Sequence, residues 1–204
     1  MVIRPYVMEV PLAAQGLRGE QRVEDLTLRG RDAAAMSAMA SGHAVPQFVV
    51  DDKDRPQPTR GIHWAIAHSS TMVAGVTSVE PVAIDVERIR PRADYQIAGA
   101  MDAEELDILG GDAVNAYFCA WVAKEAVLKL AGVGLPGLSR CRIKKAWSDH
   151  AVVSFDGIDY PVTFAFFSGH VAAVTGRPEL VQWTFLPEDS DAELTPPRGG
   201  AVLF

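Results

Sequence analysis

The sequence predicts an α+β fold, and three observations carry that prediction. Residues 82–89 alternate in character, with Val82, Ile84 and Val86 turned one way and Ala83, Asp85 and Glu87 the other, as on a strand. Residues 113–131 form a long run of helix formers that ends at Gly132, a natural helix stop. Val73-Ala74-Gly75-Val76-Thr77 in the first half is echoed by Val171-Ala172-Ala173-Val174-Thr175 in the second, each after a serine-containing turn. Short apolar strands also match by chance, but such an echo is what two similar α+β halves would leave behind.

The remaining elements are taken in chain order. Residues 2–12 read as a short strand bounded by Pro11 and a turn at Gly16. Residues 20–40 are rich in helix formers, with Gly30 as the weak point and Ser41-Gly42 as the stop. Residues 51–61, charged and carrying two prolines, form a loop. Two apolar runs flanking His68-Ser69-Ser70 predict a pair of strands. Residues 102–109 predict a further helix, and 142–185 three or four strands with a turn at Asp156-Gly157. From Pro187 the chain is polar and proline-containing, which predicts a poorly ordered tail.

Composition narrows the function. The 204 residues include 26 acidic and 19 basic side chains, a formal charge of −7, so no basic surplus exists to neutralise nucleic-acid phosphates. No run of 18 apolar residues occurs, which predicts no membrane span. The first twenty residues lack an apolar signal core, being interrupted by Pro5, Glu9 and Pro11. Cys119 and Cys141 stand far apart and outside any C-x-x-C pair, so neither a disulfide framework nor a structural zinc site is expected. These features predict a cytoplasmic protein.

Three constellations can carry chemistry. Asp85 and Glu87, two apart on a strand, share one face, where like charges are unfavourable unless solvated or bridged by a cation. A solvated strand edge is the plainer alternative. Glu125 shares a helical face with Trp121 and Leu128, a costly position for a carboxylate without a partner. A Glu125–Lys129 pair at i, i+4, worth about 0.3–0.5 kcal/mol, explains Lys129 well and the placement of Glu125 poorly. His68, near a strand end and beside small hydroxyl residues, is either structural or a phosphate contact. Gly132-Val133-Gly134-Leu135-Pro136-Gly137 satisfies G-x-G-x-x-G, but a helix precedes it and Pro136 interrupts any helix after it. It is a helix-ending loop and no dinucleotide fingerprint.

Together these pieces resemble the 4′-phosphopantetheinyl transferases of the larger, surfactin-synthetase-activating (Sfp) type. That family carries an I-S-H-S-like segment, then G-[IV]-D-[IV]-E, then W-x-x-K-E-[AS]-x-x-K and a G-x-G-L loop. This chain has Ile66-Ala67-His68-Ser69, Ala83-Ile84-Asp85-Val86-Glu87, a segment from Trp121 through Lys124-Glu125-Ala126 to Lys129, and Gly132-Val133-Gly134-Leu135. The match runs from about residue 62 to 140. Ala83 replaces the usual glycine and Ala67 a serine, and neither change removes a carboxylate.

The resemblance implies a pseudo-twofold pair of α+β subdomains with the cofactor between them. It divides the chain into residues 1–79, residues 80–186 carrying the metal-binding motifs, and the tail 187–204. It implies Mg²⁺ held by Asp85, Glu87 and Glu125, Lys129 at the pyrophosphate and reacting hydroxyl, and His68 on coenzyme A phosphates. Glu105, or Glu104 beside it, matches the spacing of a glutamate discussed as base or water-holder. Arg55 before Pro56 resembles a basic-Pro pair that helps hold coenzyme A, and Arg31 is the candidate for its 3′-phosphate. Three carboxylates and a lysine around a pyrophosphate suit a hard cation that keeps water and binds phosphate. The implied reaction moves 4′-phosphopantetheine from coenzyme A to a serine of an apo acyl or peptidyl carrier protein, releasing 3′,5′-ADP, by a monomeric enzyme with no nucleic-acid or membrane partner. Two other readings compete: an Mg²⁺-dependent phosphodiesterase acting on coenzyme A, and a non-catalytic module that binds carrier proteins. Arg140, Arg142, Lys144 and Lys145 are the expected docking patch for an acidic carrier, against the plainer reading of a solvated basic strand edge.

Overall fold

The computed structural model describes residues 2–187. The elements run β1 (Tyr6–Glu9), α1 (Leu12–Gln15), α2 (Gly19–Ala40), β2 (His63–His68), β3 (Met72–Ser78), β4 (Ile84–Arg88), α3 (Asp94–Ala100), α4 (Ala103–Leu109), α5 (Ala113–Ala131), β5 (Cys141–Ala146), β6 (His150–Phe155), β7 (Ile158–Phe167), β8 (His170–Thr175) and β9 (Thr184–Leu186). They form two sheets. The first has the order β2-β3-β1-β9, and the second β4-β8-β7-β6-β5, antiparallel throughout.

Each sheet carries one long helix, and small residues set how closely the first one lies. A Cβ on Gly75 of β3 would come within 2.2 Å of the Ala34 backbone nitrogen, so only glycine lets α2 approach there. Gly30 performs the reciprocal task on α2, since a Cβ there would stand 3.1 Å from Ile66. A glycine that weakens the helix by propensity is thus kept by packing. Ser37 on the same helical face accepts the Thr77 backbone N–H at 2.9 Å, satisfying a buried polar pair. On the second sheet, Phe118, Val122 and Ala126 of α5 share a core with Val153, Val171 and Ala173.

The echoed segments occupy matching places. Val73–Thr77 lies in β3 and Val171–Thr175 in β8; both strands are interior to their sheets and wholly buried. Val73 packs toward α2, whereas Val171 and Ala173 pack toward α5. Their alternate residues, Ala74 and Val76 on β3 and Ala172 and Val174 on β8, meet in one cluster with Ile84 and Val86. Two α+β halves therefore join along an apolar seam, with β4 at the join. Two-residue turns at Asp156-Gly157 and Ser168-Gly169, positive in φ throughout, close two of the hairpins of the second sheet, β6–β7 and β7–β8.

Several details differ from the sequence reading. The first strand covers only four residues, and α3, with Gly99 inside its seven residues and no apolar stripe, carries no helix signal in the sequence. Residues 184–186, grouped by sequence with the second half, return to the first sheet and pair in parallel with β1. The expected flexible tail falls, from residue 188 onward, outside the described residues. Among the described residues no helix is long and apolar enough to cross a membrane.

Candidate active site at the join of the two halves

Strand register explains which groups meet. Asp85 and Glu87 of β4 stand opposite Ala173 and Val171 of β8, and those two residues form part of the α5 core. Directly opposed residues share a sheet face, so both carboxylates project toward α5. Ile84 and Val86 turn to the seam instead. The alternation read from sequence is realised. The solvated-edge reading fails for Asp85, which is only 8 % exposed.

Helix α5 is anchored at both ends. Asp112 caps its start by accepting the Val114 and Asn115 N–H groups at 3.0 and 3.1 Å. Gly132 ends it in the left-handed conformation, φ +68°. In the last turn, Lys129 Nζ lies 2.6 Å from Asp85 Oδ1 and donates also to the Ile84 carbonyl at 3.3 Å. Among the described residues no ion pair joins Lys129 to Glu125, so the local i, i+4 explanation does not account for this lysine.

The other two carboxylates respond to the same neighbourhood. Burial, and then the charge of Asp85, hold the Glu125 carboxyl above its ordinary range, with Lys129 pulling the other way. Burial and Asp85 raise Glu87 likewise, against Arg90, Arg92 and Lys129. His68, at the end of β2, is pushed down, first by desolvation and then by the Lys129 cation, with Asp85 opposing. The residue as a whole remains exposed, so the desolvation is partial. Asp85, Glu87, Glu125, His68 and Lys129 thus share one electrostatic environment. Among the described residues no group of three or more His, Cys, Asp or Glu side chains is drawn together as a metal-holding cluster.

Lys129 also borders a cleft of about 660 Å³, walled by the 53–58 loop, by Trp64 on β2 and by the loop after α5. The size suits a small-molecule ligand. Trp64 is 3 % exposed, donates from Nε1 to the Gln57 carbonyl at 3.0 Å, and meets Phe48 edge-on at 5.0 Å, which makes it a rigid wall. Arg55 lines the cleft with its guanidinium 2.6 Å from Asp51, an arrangement that holds the Asp51 carboxyl down at about 2, chiefly through their side-chain hydrogen bond. Arg55 Nη1 lies 3.5 Å from the Gly132 carbonyl, linking the first-half loop to the end of α5. Arg31 is half-buried on α2 and is not among the residues lining the cleft.

Glu105 has a different seat from the one expected. It is 1 % exposed, 2.8 Å from Lys124 Nζ, and accepts the Ile143 N–H at 2.7 Å and the Asp102 N–H at 3.2 Å. Lys124 is itself buried and donates to the Ala100 carbonyl at 2.7 Å. Both oxygens of Glu105 are engaged in bracing α4, α5 and β5. Glu104 is mostly exposed, 3.6 Å from Arg142. Sequence reasoning missed Lys124. Its signal was a lysine one position before Glu125 with Val122, Ala123, Ala126 and Val127 around it, a setting that requires a buried partner.

Two further groups are resolved by the structure. Arg140 pairs with Asp156 and Arg142 with Asp102, so half of the expected docking patch is neutralised in place. Lys144 and Lys145 remain exposed on the edge strand β5, at a bulge. Cys119 and Cys141 are free, and burial pushes their thiols up to about 11 and about 12, which disfavours the thiolate at both.

Residues 81–178 match the family model of the 4′-phosphopantetheinyl transferase superfamily. The chain is 37 % identical over 83 residues to the 4′-phosphopantetheinyl transferase psf-1 of Bacillus pumilus, an alignment covering 38 % of this chain and 35 % of that protein. The chain thus spans about a third of the length of the curated relative it matches. The chain resembles the superfamily through the segment from β4 to β8, which carries Asp85, Glu87, Glu125 and Lys129.

Proposed function

We propose that this protein transfers the 4′-phosphopantetheine group of coenzyme A to a serine of an apo acyl or peptidyl carrier protein, with Mg²⁺, releasing 3′,5′-ADP. The observation that carries the reading is the Lys129–Asp85 contact at the edge of the cleft, with Glu87 and Glu125 held in the same field, inside the segment that resembles the superfamily.

The chemistry of the donor set suits the metal, although the three carboxylates do not stand drawn together around one point. Asp85, Glu87 and Glu125 offer hard carboxylate oxygens, and Asp85 already raises the other two by like-charge repulsion. Lys129 supplies one positive charge against three negative ones, so the set has room for a divalent cation. When bound there, Mg²⁺ supplies charge neutralisation at the pyrophosphate oxygens.

The protein's own groups do the rest. Trp64 and Arg55 border the space in which coenzyme A lies, with Arg55 fixed by Asp51 and its positive charge directed at phosphate. The carrier serine oxygen bonds to the β-phosphorus, the bond from that phosphorus to the bridging oxygen breaks, and 3′,5′-ADP keeps that oxygen. Lys129 Nζ places positive charge where negative charge builds up on the transferring group. His68 contributes a further donor toward the phosphates. The serine proton leaves to water at the open side of the cleft, since Glu125 as a metal ligand is not free to take it. Glu105, with both oxygens engaged, holds α4 against α5.

Incubation with coenzyme A, Mg²⁺ and a series of apo carrier proteins, followed by intact-mass measurement, tests the reading. Release of products from coenzyme A with every carrier mass unchanged would favour a phosphodiesterase instead. Carrier binding with neither change would favour a non-catalytic module.

A further inference from the structure

We propose that His170 is a positioning residue that, through its hydrogen bond to Thr71, fixes the turn following His68 against the second half of the molecule and so sets His68 relative to Lys129. This rests on the transfer reading for its kinetic consequences and on geometry alone for the rest.

The turn between β2 and β3 is held from several directions. Ser69 Oγ accepts the Met72 N–H at 3.2 Å, Val10 N–H donates to the Thr71 carbonyl at 2.9 Å, and Arg22 Nη2 donates to the Ser70 carbonyl at 2.9 Å. All of these partners belong to the first half. Thr71 Oγ1 alone reaches across, to His170 Nε2 at 2.7 Å, and among the described residues this is the one hydrogen bond tying the turn to the second half.

His170 is built to hold that position. It is 4 % exposed, its ring lies 5.8 Å from Phe167 at 11° between planes, and its Nδ1 meets the Ser168 carbonyl at 2.8 Å. A carbonyl only accepts, so Nδ1 carries the hydrogen, and Nε2 of the neutral ring is left to accept the Thr71 hydroxyl proton. His170 stands opposite Arg88 on β4, one residue beyond Glu87, so the tie lies at the carboxylate-bearing end of that strand. In the register of the echoed segments His170 corresponds to Met72 and Gly169 to Thr71. The bond therefore joins equivalent turns of the two halves, where a small loss of order moves His68 away from the field of Lys129 and Asp85.

The test compares Thr71→Val, which keeps shape and loses the hydroxyl, with Thr71→Ser, which keeps the hydroxyl. His170→Gln is the second route to the same bond. For Thr71→Val we expect the KM for coenzyme A to rise about three- to tenfold, the range one lost hydrogen bond covers. The kcat should stay within about twofold, because no reacting group is removed. Thr71→Ser should restore the wild-type KM. The activity-independent readout is the His68 imidazole NMR signal, which should shift in Thr71→Val and not in Thr71→Ser. A lowered melting temperature with KM and the His68 signal unchanged would overturn the proposal, as would a serine variant that fails to rescue either. If the wild-type protein transfers nothing, the transfer reading fails, and the His68 signal alone decides this one.

Discussion

Lys129 on α5 and Asp85 on β4, 44 positions apart in sequence, meet at 2.6 Å. A lysine in the last turn of a helix is ordinarily explained by the helix dipole or by a carboxylate one turn earlier. Here it reaches another element, and its carboxylate partner is buried. Lys129→Ala should lower kcat by roughly 10²–10³, the size of effect seen when a preorganised positive group is removed from a developing charge. Coenzyme A affinity, measured by calorimetry, should change much less. Unaltered turnover with a lower melting temperature would make the contact a packing device.

Asp85→Asn and Glu125→Gln remove negative charge and keep shape. Each should bring transfer near background while circular dichroism stays native. Melting temperature should hold or rise for Glu125→Gln, since burial and Asp85 disfavour the charged form that the substitution removes. Wild-type activity in excess EDTA equal to that with Mg²⁺ would overturn the role given to these carboxylates.

Glu105 and Lys124 make the opposite prediction. Lys124→Met strands a buried carboxylate and should cost about 3–5 kcal/mol in urea unfolding, and Lys124→Met combined with Glu105→Leu should recover much of it. A Glu105→Gln variant of native stability and no turnover would restore the chemical role that spacing suggests.

The contrast between these two glutamates shows what the sequence could and could not disclose. The D-x-E alternation and the α5 pattern are local properties, so both elements, and the shared face of Asp85 and Glu87, were legible. So was the echo, because β3 and β8 are both interior strands beneath a long helix. The burial of Glu105 was not legible, because spacing along a helix says nothing of what β5 brings to it, namely the Ile143 N–H and the flank carrying Arg142. The same ignorance of long-range pairing made Arg140 and Arg142 look free, when Asp156 and Asp102 neutralise them. The return of β9 to the first sheet left no sequence signal, as three residues carry no period.

His170 supplies a pH dependence. Desolvation, and to a lesser extent Arg88, hold its imidazole below the ordinary 6.5, against the Ser168 hydrogen bond and Glu9. The unfolded chain therefore binds a proton more readily than the folded one. This part of the stability is full above about pH 6.5 and is lost as pH falls below it. Melting temperature should decline on acidification from pH 7 toward pH 5, and less steeply in His170→Gln. Identical slopes would assign the acid sensitivity to other groups, His68 first among them.

Lys144 and Lys145 are the exposed remainder of the basic strand once Arg140 and Arg142 are paired. If they steer an acidic carrier, Lys144→Glu with Lys145→Glu should raise the carrier KM severalfold and leave that for coenzyme A unchanged. Salt should raise the wild-type carrier KM too, as screening acts over about 10 Å at 0.1 M. A carrier KM indifferent to both would leave the pair the task of protecting an exposed sheet edge.

Intact-mass spectrometry of an apo carrier protein tests whether the Asp85, Glu87, Glu125 and Lys129 assembly performs group transfer. With coenzyme A and Mg²⁺, the wild-type protein should add one 4′-phosphopantetheine group to the carrier, and Glu125→Gln should leave the carrier mass unchanged over the same interval. A wild-type protein that modifies no carrier across fatty-acid, polyketide and nonribosomal-peptide types, or a Glu125→Gln variant as active as wild type, would contradict it.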